Sequence, residues 1–180
     1  MIKHREAVSG RKAPVGAWLK AGCVAGFAGG LAEVAVMGLY SGVSGLSSAT
    51  ILSLITATFT SDAIAFGPLG AFDGLMIHFV LSVAIGAAFG ILQYLIHKNR
   101  GTVSYPLVSV TGTVILVGIW AFNFFVLLPQ INPAFVAYVP LVPSFVSKFS
   151  FGLSLCLFVR FVEAGGRVGK ARLVLATGRN

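Results

Sequence analysis

Glu33, His78 and Lys148 stand inside stretches of sequence that are otherwise almost wholly apolar. A carboxylate, an imidazole and an ammonium are groups that carry protons and pair with ions. Each is expensive to hold in hydrocarbon, on the order of 2.5–3.5 kcal/mol on insertion scales for the charged forms. Asn123 adds an amide in a further apolar stretch. An uncompensated charge in such surroundings is unfavourable, so Glu33 and Lys148 are expected to form a buried ion pair, with His78 and Asn123 adding hydrogen bonds. Three roles are open to such a set. It can lock helices in register without chemistry. Lys148 and His78 can instead snorkel to headgroups. The set can also handle protons or a small solute.

The elements that must position these groups follow from composition. Hydrophobic residues make up 57% of the 180-residue chain and charged residues only 10%, where soluble domains carry about 25% charged residues. A mean hydropathy of +0.93 agrees. Such a chain is expected in a bilayer rather than in water. A spanning helix needs roughly 20 mostly apolar residues, and four stretches qualify: 17–40, 74–97, 105–128 and 141–162. Spanning segments must satisfy their own backbone groups, and these runs lack the alternation of barrel strands, so helices are expected. The fold class expected is therefore all-α, a single membrane domain forming a four-helix bundle. The first stretch is read as a retained span, because it is long for a signal peptide and Glu33 interrupts it.

Lysine and arginine set the orientation. Of the 13 basic residues, all but Lys148 fall in the tails 1–16 and 163–180, in the second connection, or near the ends of spans that adjoin them. The first and third connections hold none. By the positive-inside rule both chain ends are expected in the cytoplasm. Within the first connection, Ser48 to Phe59 places Ile51, Leu52, Leu54, Ile55 and Phe59 largely on one helical face, with Ser47, Ser53 and Thr56 toward the other. That segment is too short to span and is expected to lie in the outer interface or to re-enter the membrane. Pro129, Pro133, Pro140 and Pro143 favour an extended, stiff third connection.

Small residues recur every four positions. Gly22, Gly26 and Gly30 line the first span, and Ser82, Gly86 and Gly90 the second. Residues four apart share a helix face, and small ones let helices approach closely in lipid. The grooves are expected to pack the first two spans together, although the same motif can serve a homodimer. Glu33 continues one stripe and His78 precedes the other, so meeting grooves would bring them close. Counting about 1.5 Å per residue from the basic ends puts Glu33 and Lys148 at similar depth, with His78 and Asn123 slightly beyond.

Other chemistry is absent from the sequence. There is no HExxH, P-loop or GxSxG pattern. His78 and His97 lie at opposite ends of one expected helix, which leaves no axial pair for haem within the chain. Cys23 and Cys156 form no CxxC and read as small buried hydrophobes, so no disulfide framework, metal site or cofactor is expected. A net charge of +8 arises from clusters flanking apolar runs and not from a stripe on a soluble fold, which argues against nucleic acid as a partner.

The pattern His78-Phe79-x-x-Ser82-x-x-x-Gly86-x-x-Phe89-Gly90, the pattern Ser147-Lys148-x-x-x-Gly152-Leu153-x-Leu155, and the glycine-rich first span with its glutamate resemble small four-helix inner-membrane proteins of bacteria, the YagU-like group. The resemblance implies architecture and a bacterial plasma membrane, and carries no catalytic residue. The partners expected are the lipid bilayer and other membrane subunits or further copies of the chain. Small size and the lack of catalytic motifs favour a non-catalytic accessory or assembly subunit of a larger complex. The alternative is a small oligomeric transporter or channel for protons or a small solute, built on Glu33, His78 and Lys148. An intramembrane enzyme has no motif in its favour.

Overall fold

The computed structural model describes residues 14–100 and 105–158. Helix α1 runs Val15–Ser44, α2 Ser48–Ala57, α3 Asp62–Ala65, α4 Gly70–Arg100 and α5 Tyr105–Phe122. A π-helical segment, Asn123–Leu127, then leads into α6 (Leu128–Ile131), α7 (Pro133–Tyr138) and α8 (Leu141–Ser154). No strand occurs among the described residues. Three helical stretches are long and apolar enough to cross a membrane: Val15–Ser44, Gly70–Asn99 and Pro106–Ile131. Helix α8 has 14 residues, roughly 21 Å at 1.5 Å per residue, short of a hydrocarbon core of about 30 Å. Positions 159–162 of the expected fourth span lie outside the described residues, as do 1–13 and 163–180 of the basic tails. Lys20 and Lys98 are exposed near one end of the bundle, here the basic end. The opposite end, carrying α2, α3, α6 and α7, is the loop end.

Helix α1 is the hub. It packs on α4 along one side and on α8 along another, and α5 packs on α8. Backbones at the α1–α4 contact almost touch. A methyl group added at Gly22 would overlap the Gly86 carbonyl, one at Gly26 the Ser82 carbonyl, and one at Gly90 the Trp18 carbonyl. Gly30 faces the Ser82 side chain. Farther round α1, Gly29 receives the ring of Phe151 from α8, and Gly152 of α8 lies against Thr113 of α5. Trp18, Phe89, Val108, Leu116, Leu155 and Phe158 fill the basic half of the bundle as one buried cluster.

The stripe on α4 extends beyond Ser82 to Gly74 and Gly70. Steps of four residues advance the stripe by roughly 40° each around a helix of 3.6 residues per turn. It therefore turns from α1 toward α2. Gly74 lies under the Leu52 carbonyl, and the Gly70 carbonyl accepts a 2.6 Å hydrogen bond from Thr56 Oγ1. Helix α2 is consequently packed on two sides. Ser53 and Thr56 are buried along with Ile51 and Leu54, while Phe59 lies beyond the end of the helix and is exposed. The polar side of α2 is therefore buried as well as its apolar side, because Thr56 packs against α4.

The third connection also differs from the extended loop expected of its prolines. Helix continues through Pro129 to Ile131 and resumes at Pro133. Proline lacks an N–H and clashes with the carbonyl four residues back, but both conflicts vanish in a first turn. Pro133 sits in the first turn of α7, whereas Pro129 stands within the helical run Pro106–Ile131, directly after the π segment. The wide π turn before Pro129 shifts the hydrogen-bond register. Asn132 ties the connection down: its Nδ2 donates to the Leu54 carbonyl at 2.8 Å and to Thr58 Oγ1 at 2.9 Å, and its Oδ1 caps α7 at the Phe135 N–H.

Gly86→Ala should lower stability by about 1–3 kcal/mol, the range for overpacking a close contact. Gly38→Ala, at an exposed position of α1 with open space around it, should be neutral or stabilising by up to about 1 kcal/mol through helix propensity. Unfolding of the two variants in mixed detergent micelles gives the comparison.

Candidate functional site

Close approach of α1 and α4 sets the first half of the site. Gly30 and Glu33 lie one turn apart on α1, and α4 brings His78 against them. His78 Nε2 lies 3.1 Å from the Gly30 carbonyl. A carbonyl can only accept, so Nε2 carries the hydrogen and donates it. Phe79 packs on Phe27 of α1 with ring centroids 5.0 Å apart and fixes the turn that bears His78.

Helix α8 completes the set. Lys148 Nζ lies 2.6 Å from Glu33 Oε1. The Glu33 side chain is only 4% exposed and that of Lys148 25%. The ammonium meets Oε1 outside hydrogen-bond angles, so the contact is a charge contact. Neither carboxylate oxygen has a hydrogen-bond donor among the described residues. His78 Nε2 is 3.8 Å from Oε2, beyond hydrogen-bond reach, and its hydrogen is committed to Gly30. Oε2 is thus a buried acceptor with no donor, an uncommon state that asks for an explanation.

A cavity of about 540 Å³ lies beside this carboxylate. Glu33, His78, Asn123 and Lys148 all line it. Asn123 is half-buried on the π segment and makes no side-chain hydrogen bond to the other three. The structure therefore brings Glu33, His78 and Lys148 into one group and leaves Asn123 on the wall. The remaining walls are mainly apolar, including Met37, Ile55, Ile85, Trp120, Phe124 and Phe135. Trp120 is held in place by its Nε1–H, which donates to Ser144 Oγ at 2.8 Å.

The cavity exists because one side of the bundle stays open. Helices α4 and α5 follow one another in sequence, yet they do not form a close interface such as α1–α4, α1–α8 or α5–α8. Near the basic end, Phe89 of α4 and Phe158, which follows α8, fill the space with ring centroids 5.8 Å apart, in one cluster with Val108 and Leu116 of α5. Toward the loop end the gap remains, and α2 and α7 cover it from above.

Several polar residues that sequence spacing did not single out are also buried. Gln93 on α4 is fully buried with neither amide atom hydrogen-bonded among the described residues, and Trp18 Nε1 and His97 Nδ1 are likewise unpartnered there. The His97 ring stacks on Trp18 at 5.0 Å. Gly70 and Gly74 could have been found by extending the four-residue stripe backward from His78. Asn132 and Ser144 carry no comparable signal. Among the described residues, no group of three or more histidine, cysteine or acidic side chains is arranged to hold a metal ion. No family model, curated protein or solved structure matches the chain.

Removing one member of a buried ion pair strands the other and costs about 3–5 kcal/mol, whereas replacing both with apolar groups is often neutral. Glu33→Leu and Lys148→Met should each destabilise by that amount, and the double variant should recover most of the loss. Equilibrium unfolding in mixed micelles measures the coupling. Additive losses would mean that Lys148 finds its compensation elsewhere, for instance in headgroups.

Proposed function

We propose that this chain is a four-pass protein of a bacterial plasma membrane, with both ends in the cytoplasm, and that it serves as a non-catalytic accessory subunit of a larger membrane complex. The distribution of lysine and arginine supports the orientation. The course of α8 supports the fourth crossing: Lys148 is level with Glu33 on α1, and Phe158 reaches Trp18 at the start of α1, ring centroids 5.6 Å apart. On this reading α2 is a cap at the outer interface.

The observation that carries the accessory reading is an aromatic ladder on the outside of the last helices. Phe125 packs edge-on to Trp120, Phe145 packs on the same indole at 5.1 Å, and Phe149 stacks on Phe145. Phe122, Phe125, Phe145 and Phe149 are exposed. Rigid aromatic surfaces of this kind suit packing against partner helices.

A second reading rests on the cavity. A buried carboxylate–ammonium pair beside a void is a suitable arrangement for an oligomeric transporter of protons or a small solute using Glu33, Lys148 and His78. The basic half of the bundle opposes it in this conformation, because the Trp18–Phe89–Phe158 cluster fills the route between the cavity and the basic end.

Gentle extraction followed by native gels and mass spectrometry separates the two. The accessory reading expects a stoichiometric complex much larger than the 18.8 kDa chain. A lone chain or homo-oligomer, with liposome flux abolished by Glu33→Gln, would replace it with the transporter.

A further inference from the structure

We propose that the cavity between α4 and α5 is a binding site for an uncharged, hydroxyl-headed amphiphile drawn from the bilayer, its hydroxyl bridging Glu33 and Lys148 and its apolar body lying along Trp120 and Phe124. The site does not depend on whether the protein works in a complex or alone.

Four observations converge on that ligand. The first is size: about 540 Å³ lies within the range of small-molecule sites, roughly 300–1,000 Å³. The second is the unpaired acceptor. Glu33 is almost fully buried and lines the cavity, but its Oε2 receives no hydrogen bond. A ligand that donates there removes an unfavourable buried group.

The third is charge. Glu33 and Lys148 balance one another, and the His78 Nε2–H is occupied by Gly30. An anionic head would compete with Glu33 for the ammonium and repel the carboxylate. A cationic head would do the reverse. An uncharged head leaves the pair intact. The ammonium has three donors, and its contact with Glu33 is one of charge, so it keeps N–H groups to offer. A hydroxyl is the smallest group that can donate to the carboxylate and accept from the ammonium at once.

The fourth is the mouth. Phe59, Leu81, Leu127 and Ile131 line the cavity and are themselves exposed. An opening rimmed by exposed apolar side chains on a membrane-facing helix pair admits molecules from lipid more readily than hydrated solutes from water. Aromatic walls inside it, Trp120, Phe124 and Phe135, suit a ring next to the hydroxyl. A phenol with a long alkyl tail is the simplest molecule that meets all four conditions. Its tail can leave through the mouth into the bilayer.

The test titrates the full chain in detergent micelles with para-decylphenol, its methyl ether, decanoate and decyltrimethylammonium, and reads binding by calorimetry. The phenol should bind saturably. The ether, which cannot donate, should bind at least about tenfold more weakly, the loss of one charge-assisted hydrogen bond. Both charged probes should bind more weakly than the phenol. Ile55→Trp places a large ring in the cavity from α2 without altering the ion pair, and should weaken phenol binding by a similar factor. Glu33→Gln should weaken it too. Should Glu33→Gln fail to fold, Ile55→Trp and the ether comparison on the unaltered chain still decide. Equal affinity for phenol and ether, preference for decanoate, or indifference to Ile55→Trp would each overturn the proposal.

Discussion

Backbone contact between α1 and α4 is the constraint on which the other features rest. In lipid there is no hydrophobic gain in bringing two apolar helices together, so association depends on packing and on polar contacts. Gly22, Gly26, Gly86 and Gly90 let the two backbones approach until no side chain fits between them. Short-range dispersion is then gained along several turns. The same contact sets the register in which Gly30 meets His78, and it brings Glu33 to the face where α8 can deliver a lysine.

A tight contact on one side leaves slack on another. While α1 is bound closely to both α4 and α8, and α5 is held by α8, the last pair of neighbours, α4 and α5, forms no comparable interface. Large rings fill the space near the basic end, where Phe89 meets Phe158. Toward the loop end the covering is left to helices outside the bundle, α2 and α7, which roof the space without filling it. The buried charges lie at the edge of this space. That placement explains how a carboxylate can be almost wholly buried and still have no hydrogen-bond donor on either oxygen among the described residues.

The loop end shows how polar groups substitute for apolar packing where the chain must turn. Thr56 reaches the Gly70 carbonyl, Asn132 reaches Leu54 and Thr58, and Tyr138 Oη accepts from the Ser47 N–H at 3.4 Å. Each contact satisfies a backbone or side-chain group that would otherwise be stranded at a helix end. The π segment belongs to the same adjustment. It re-phases the third long helix before Pro129 and leaves Asn123 and Phe124 on the cavity wall.

Much of this was legible in the sequence, because it depends on one-dimensional quantities. Apolar length marks the long helices, since helix rise and membrane thickness are fixed. The four-residue repeat of small side chains marks the faces of α1 and α4 that meet, since helical periodicity is fixed as well. The ionisable residues were conspicuous because so little else in the apolar runs is polar. Tertiary structure decided the rest. That the polar face of α2 is buried as well as the apolar one depended on what α4 offered beneath it, where Gly74 lets the α2 backbone and Thr56 come close. The prolines after residue 128 were compatible with either extended chain or helix, and in the packed structure Pro129 follows a π segment while Pro133 takes a first turn. No property of the chain read along its length says that α4 and α5 stand apart. A void is defined by distances among residues far apart in sequence, here from Glu33 to Lys148, and only the packed helices set those distances.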